Sequence, residues 1–238
     1  MLLVENLSAW YGAARILYDL NFEVGRGEVV ALMGRNGAGK STTMKAIMGL
    51  IAQRQGKVIF NDDDISRLQS YEVARRGLGF TPEDRRIFSD LTVLENLDIG
   101  RQSPRQFPDG APAPLWTPER LFALFPNLAE MPDRLGGRMS GGEQQMLTVA
   151  RTLMGNPLLV LLDEPSEGVA PLIVEQMANT IIELKKEGLS ILLSEQNIHF
   201  AQLVSDRVYV LEKGQVRWQG GMAELSANPD IQRNYLTM

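Results

Sequence analysis

The sequence predicts an α/β fold with a mainly parallel core sheet, and three observations carry that prediction. The short apolar runs "VVALM", "LLVLL" and "SILLS" are bounded by glycine, proline or charge and read as buried strands. Stretches with apolar residues at helical spacing alternate with them, the order that builds strand–helix–strand units. A glycine-rich stretch, Gly34 to Ser41, lies where the first of these strands hands over to a helix.

Taken in chain order, "GEVVALMG" is a strand at Val29 to Met33, and "KSTTMKAIMGL" is a helix ending near Gly49. The segment from Gln102 to Pro118 holds five of the 12 prolines and reads as a loop or extended insert. Helical "ERLFALF" follows it. "PLLVLLDEP" gives a second buried strand, Leu158 to Leu162. "APLIVEQMANTIIELKKEG" repeats its apolar residues at helical spacing and stops at Gly188. "LSILLSEQ" is a third buried strand, and "DRVYVLEKGQVRWQGG" is a hairpin turning at Lys213 and Gly214. A smaller, mainly helical lobe is expected over 83–155. The core takes 1–82 and 156–238, and the two together make one domain over 1–238. No internal repeat is visible.

Composition narrows the function classes. The 238 residues carry 24 Lys and Arg against 29 Asp and Glu, a net charge of −5, and no basic excess points to nucleic acid. There is no cysteine, which excludes disulfides and cysteine metal sites and fits a reducing compartment. The N-terminal "MLLVENLSAWYG" lacks the basic start of a signal peptide. No apolar run approaches the roughly 20 residues of a membrane span. A soluble chain is expected, held at a membrane only by something else.

"GRNGAGKS" fits G-x-x-x-x-G-K-[ST], from Gly34 through Gly39, Lys40 and Ser41. Glycines let consecutive N–H groups turn inward around an anion, and the helix that follows adds its partial positive end. Gly34, Asn36, Gly37, Ala38, Gly39, Lys40, Ser41 and Thr42 are the candidate triphosphate contacts. Lys40 would neutralise the β- and γ-phosphates, Ser41 would ligate Mg²⁺, and Thr42 would meet the α-phosphate side. A chance glycine turn is the plain alternative, and the flanking strand and helix argue against it. "LLVLLDEPSEG" ends a buried strand in Asp163, a candidate Mg²⁺ ligand, and Glu164, a candidate general base. "MSGGEQQMLTVARTL" sets Ser140, Gly141 and Gly142 before a helix, a second anion cradle. Two cradles heading separate helices do not easily grip one nucleotide within one chain, whereas a symmetric pair of chains would let each face the other's nucleotide.

With these three motifs in this order, the chain resembles an ATP-binding subunit of an ABC transporter, a P-loop NTPase. "GRNGAGKST", "MSGGEQQ" and "LLVLLDEP" look like its Walker A, signature and Walker B motifs. The resemblance spans nearly the whole chain. It implies an N-terminal antiparallel β region, with Tyr11 in "AWYG" stacking on adenine. It implies that Glu83, where the family usually has glutamine, meets Mg²⁺ or water. It also places Gln196 where the family usually has a γ-phosphate-sensing histidine. Glutamine there can donate and accept hydrogen bonds without carrying a charge. The single histidine, His199, reads as a surface or packing residue one turn into the next helix. "TPEDRRIF", "LTVLENL", "DEPSEGVAP" and "SEQN" resemble the branch serving branched-chain amino-acid importers.

The resemblance therefore implies an ATPase at the cytoplasmic face of the inner or plasma membrane, using ATP and Mg²⁺, with Glu164, Gln196 and Glu83 at the reaction. Its expected partners are integral membrane permease subunits, a second identical or similar ATP-binding subunit and, indirectly, an extracytoplasmic solute-binding protein; no nucleic acid is expected. Import of a small polar solute such as a branched-chain amino acid is the expected role. Urea or amide import and a low-activity nucleotide-binding subunit are the alternatives. An ABC ATPase acting on DNA or ribosomes is a further rival. It is disfavoured because the chain has no coiled-coil insert, no second ATPase domain and no basic patch.

Overall fold

The computed structural model describes residues 1–236. Its strands are β1 (Leu2–Tyr11), β2 (Ala14–Val24), β3 (Val29–Met33), β4 (Gln53–Phe60), β5 (Asp63–Asp64), β6 (Leu78–Thr81), β7 (Leu159–Asp163), β8 (Ser190–Glu195), β9 (Arg207–Glu212) and β10 (Gln215–Gly221). Its helices are α1 (Lys40–Ile47), α2 (Ser70–Arg75), α3 (Val93–Gly100), α4 (Pro118–Leu124), α5 (Pro126–Ala129), α6 (Gly141–Leu153), α7 (Pro171–Lys186), α8 (Ile198–Val204), α9 (Met222–Ser226) and α10 (Pro229–Ile231). Among the described residues no helix is long and apolar enough to cross a membrane.

Two sheets form. The first is antiparallel, in the order β2-β1-β4-β5; the second runs β10-β9-β3-β8-β7-β6 and is parallel except for the terminal β9–β10 hairpin. The parallel strands are apolar through their middles because both of their faces are covered. Along β7, Leu159 and Leu161 enter the core shared with the antiparallel sheet and α1. Val160 and Leu162 enter the core beneath α3, α6 and α7. Strand β8 repeats the alternation, with Leu192 on the first side and Ile191 and Leu193 on the second. Period-2 geometry thus sends one uninterrupted apolar run into two separate cores.

The expected strands, helices and terminal hairpin all form. Strand β7 begins and ends one residue later than the apolar run suggests, at Leu159 and Asp163. The shift carries the aspartate into the ladder, where Asp163 pairs with Ser194 of β8. In the proline-rich segment 102–118, residues 102–117 have no regular structure beyond an isolated bridge between Gln106 and Pro112, and Pro118 opens α4. The segment is nonetheless fastened. Asn156 donates to Gln102 O at 2.7 Å and accepts from Trp116 N at 2.7 Å.

Candidate functional site

The loop between β3 and α1 is shaped by close approach. A side chain at Gly34 would come within 2.4 Å of Leu211 O, and one at Gly39 within 2.9 Å of Leu17 Cδ2. Gly39 also caps α1 with φ 108, a left-handed backbone that glycine adopts at little cost. The first N–H groups of α1, at Lys40, Ser41 and Thr42, lack intrahelical acceptors. No carbonyl elsewhere among the described residues takes them. Lys40 is buried and folds back into the loop. Its Nζ donates to Gly34 O at 2.7 Å and to Arg35 O at 3.3 Å, and pairs with Glu164 Oε1 at 3.0 Å.

Asp163 sits at the end of β7, wholly buried. Its Oδ1 accepts from Ser41 Oγ at 2.9 Å and from Ser194 Oγ at 2.6 Å; its Oδ2 is buried with no hydrogen-bond partner among the described residues. Burial pushes its pKa up, against the pull of the two serine hydroxyls. A carboxylate beside a hydroxyl, with one oxygen unspent, is a hard-oxygen set that suits Mg²⁺. No group of three or more His, Cys, Asp and Glu side chains among the described residues could hold a metal alone. An ion here would draw its other ligands from phosphate and water, as Mg²⁺ commonly does.

Glu164 follows with a left-handed backbone, φ 48, held by its N–H to Ser194 O at 3.1 Å and Ser194 Oγ at 3.0 Å. Its Oε2 accepts from Gln196 Nε2 at 2.6 Å. Burial works to raise its pKa, but hydrogen bonds with Glu167 and Gln196 and the charge of Lys40 outweigh it and hold the carboxyl below its ordinary value. Gln196 Nε2 also reaches Asn36 Oδ1 at 2.8 Å and Glu167 Oε2 at 3.4 Å. All three neighbours are acceptors, so the amide NH₂ must face them. Gln196 thus ties the β3–α1 loop to the acidic end of β7. Lys40, Ser41, Asn36, Asp163, Glu164 and Gln196 form one connected group.

Three residues that sequence reasoning passed over belong to this group. Ser194 serves Asp163 and the Glu164 backbone together. Glu167 shares a hydrogen bond with Glu164 and is pushed up to about 7, first by that bond and then by burial and neighbouring acids, Glu83 among them. Glu195, 2% exposed, accepts from the N–H groups of Ser166, Gln196 and Asn197, each at 3.1 Å, while burial raises its pKa. An acidic residue closing the apolar run "SILLS" was the one available signal for Glu195. Nothing local marks Ser194 or Glu167.

The remaining candidates stand apart. Glu83 is exposed after β6 and makes no hydrogen bond or ion pair among the described residues; only its charge reaches the group, through Glu167. Tyr11 is 51% exposed at the end of β1, opposite Ala14. Strand β2 then runs to Leu17, against Gly39. Ser140, Gly141 and Gly142 open α6. Ser140 Oγ accepts from Glu143 N, and Ser140 N donates to Glu143 Oε2 at 2.7 Å. No hydrogen bond joins them to residues 34–42 among the described residues. His199 is exposed on α8.

A groove of about 540 Å³ lies between α2, β6, α3 and α6. Tyr71, Phe88 and Ile99 line it and are 57%, 47% and 52% exposed.

The sequence matches the ABC transporter family over residues 17–167. It is 40% identical over 99% of both chains to the high-affinity branched-chain amino acid transport ATP-binding protein BraG of Pseudomonas aeruginosa. It is 34% identical to the lipopolysaccharide export system ATP-binding protein LptB of Escherichia coli K12, over 99% of this chain and 96% of LptB. Among solved structures, the ADP conformation of an ATP-binding cassette of an ABC transporter superposes with a TM-score of 0.80 at 29% identity, covering 98% of this chain and 97% of that one.

Proposed function

Because this chain belongs to the ABC transporter family, as an ATP-binding subunit and ABC-type ATPase, we propose that it powers import of a small polar solute of the branched-chain amino-acid class through a membrane permease. The observation that carries the choice of cargo is the end-to-end 40% identity to a subunit named for branched-chain amino acid transport. The 34% relative named for lipopolysaccharide export favours a second reading, export of a lipid-linked glycan.

The connected group supports a division of labour. ATP would lie along residues 34–42, its phosphates taking the free N–H groups of α1 and drawing Lys40 away from Gly34 O and Glu164. Tyr11 would face the adenine. Glu164, already low in pKa, would stand ionised as general base for water, with Gln196 and Glu83 orienting that water. Asp163 and Ser41 would hold Mg²⁺, which when bound offsets phosphate charge. The cradle at Ser140, Gly141 and Gly142 shares no hydrogen bond with its own phosphate loop. That separation supports a second ATP-binding subunit whose nucleotide the cradle completes. The exposed apolar groove at Tyr71, Phe88 and Ile99 fits a short amphipathic segment of a permease subunit. Bound to such a permease, the chain would work at the cytoplasmic face of the membrane.

The test is isolation of the chain from its native membrane with its bound subunits, followed by uptake assays of labelled leucine in vesicles carrying that complex. ATP-dependent leucine accumulation is expected. Co-isolation with lipopolysaccharide-handling subunits and no solute uptake would sink import in favour of export.

A further inference from the structure

We propose that Arg85 is a phosphate-binding residue, set beside the Ser140–Gly142 cradle to grip the terminal phosphate of the nucleotide bound by the other subunit. The inference rests on the subunit pairing proposed above. Arg85 lies in the loop after β6, and its guanidinium covers the first turn of α6. A Cβ at Gly141 would come within 2.8 Å of its Nη1, and one at Gly168, in the loop after β7, within 3.9 Å of its Nη2. Its Nε donates to Gln145 Oε1 at 3.2 Å. Its two terminal nitrogens make no hydrogen bond or ion pair among the described residues.

This is an unfavourable place for a cation. A helix N-terminus carries partial positive charge and repels one. Yet the chain holds Arg85 there with some force. Arg85 and Arg86 both have left-handed backbones, φ 61 and φ 51, which non-glycine residues keep only when their surroundings over-determine them. The surroundings do so. Thr148 Oγ1 donates to Arg85 O at 3.0 Å, and Arg151 Nη2 donates to Arg86 O at 2.7 Å and to Arg85 O at 3.4 Å. Both donors sit on α6, so the loop and the cradle are fastened as one piece.

An anion at the cradle turns the repulsion into attraction. The unspent guanidinium donors of Arg85 then join the N–H groups at the start of α6 on the same oxygens. A terminal phosphate is the anion that the proposed pairing brings there. The charge is also needed locally. Asp163, Glu164 and Glu167 gather at the proposed nucleotide site, with the charge of Glu83 reaching Glu167, against the cations Lys40 and Lys45.

The test uses the full chain in a Glu164→Gln background, which is expected to pair in ATP without turning it over. Subunit pairing is followed by size-exclusion chromatography against ATP concentration with Mg²⁺, alongside ATP binding to the unpaired chain. Adding Arg85→Ala should raise the ATP concentration for half-maximal pairing roughly tenfold or more, the effect of losing a charged hydrogen bond. Binding to the unpaired chain should not change, because residues 34–42 belong to the same subunit as the nucleotide they hold. Arg85→Lys should restore much of the pairing, which a purely structural role would not predict. Should Arg85→Ala fold poorly, Arg85→Gln removes the charge while keeping a polar stem. Equal pairing with and without Arg85 would overturn the inference and leave the pairing intact. Failure of Glu164→Gln itself to pair in ATP would overturn the pairing and the inference with it.

Discussion

Glu164 keeps a left-handed backbone that costs a non-glycine residue about 1–2 kcal/mol, and Ser194 holds it there through two hydrogen bonds. Its carboxylate meets Lys40 and Gln196. Glu164→Gln keeps the size of the side chain but removes its basicity and the charge that pairs with Lys40. It should bind ATP with near-normal affinity in a fluorescent-nucleotide assay and lose turnover by roughly 10²-fold or more. Normal turnover would remove Glu164 from the role of base. Glu167 supplies a pH dependence of opposite sign to that of an ordinary paired acid. Its carboxyl is raised from 4.5 to about 7 in the folded chain, so between those values the folded state holds a proton that the unfolded state has released. The stability it contributes is complete below about pH 4.5 and lost as pH climbs through about 7. Because Glu167 is exposed, solvent screening keeps the effect small. The Tm of the wild type minus that of Glu167→Gln should fall across this window in buffers free of nucleotide and Mg²⁺. A difference that rises with pH would contradict the shared proton.

At the scale of elements, the core strands were legible because burial on both faces leaves a short apolar run flanked by breakers, too short for a buried helix. The β3–α1 loop was legible as a turn between a strand and a helix, because its glycines, lysine and serine recur at a fixed spacing. Ser194 was hidden, since its role comes from β8 lying beside β7, a pairing across some 30 residues that no local pattern encodes. Arg85 was hidden for the same reason: only packing of its loop on α6 reveals it. The signature helix allows cap and cradle to be separated. Ser140 forms a reciprocal capping box with Glu143, so Ser140→Ala should cost about 1 kcal/mol of stability by denaturant titration. If the cradle also grips a partner's nucleotide, ATP turnover should fall far more than such a loss in a still-folded protein could explain. Turnover that stays at the wild-type level would leave Ser140 as a cap alone. Within the strands, Leu161→Ala should cost about 2–5 kcal/mol, because its side chain fills the fully buried side shared with the antiparallel sheet.

For the whole molecule, the segment 102–118 joins elements far apart in sequence. Phe107 is buried in the core shared by the two sheets, and Arg26, from the turn between β2 and β3, lies 3.6 Å over its ring. Arg26 also pairs with Asp109 at 2.6 Å, and Arg105 Nη1 donates to Arg75 O at the end of α2 at 2.5 Å. On its other flank, Trp116 packs among the helices and Asn156 clasps both ends of the segment. Proline-rich composition describes the absence of a ladder here, but it is silent on attachment. The segment behaves as a strap between the sheets and the helices rather than a free loop. The exposed ion pair contributes little, so Phe107 is the main anchor. Phe107→Ala should lower stability by about 3 kcal/mol or more and open the strap. Limited proteolysis should then cut within residues 102–117 much faster than in the wild type, at a protein concentration and temperature where both remain folded by circular dichroism. Arg26→Ala should leave the cleavage rate almost unchanged. Equal cleavage of the Phe107→Ala and wild-type proteins would remove Phe107 as the main anchor, and the side-chain clasp at Asn156 would then be tested with Asn156→Ala.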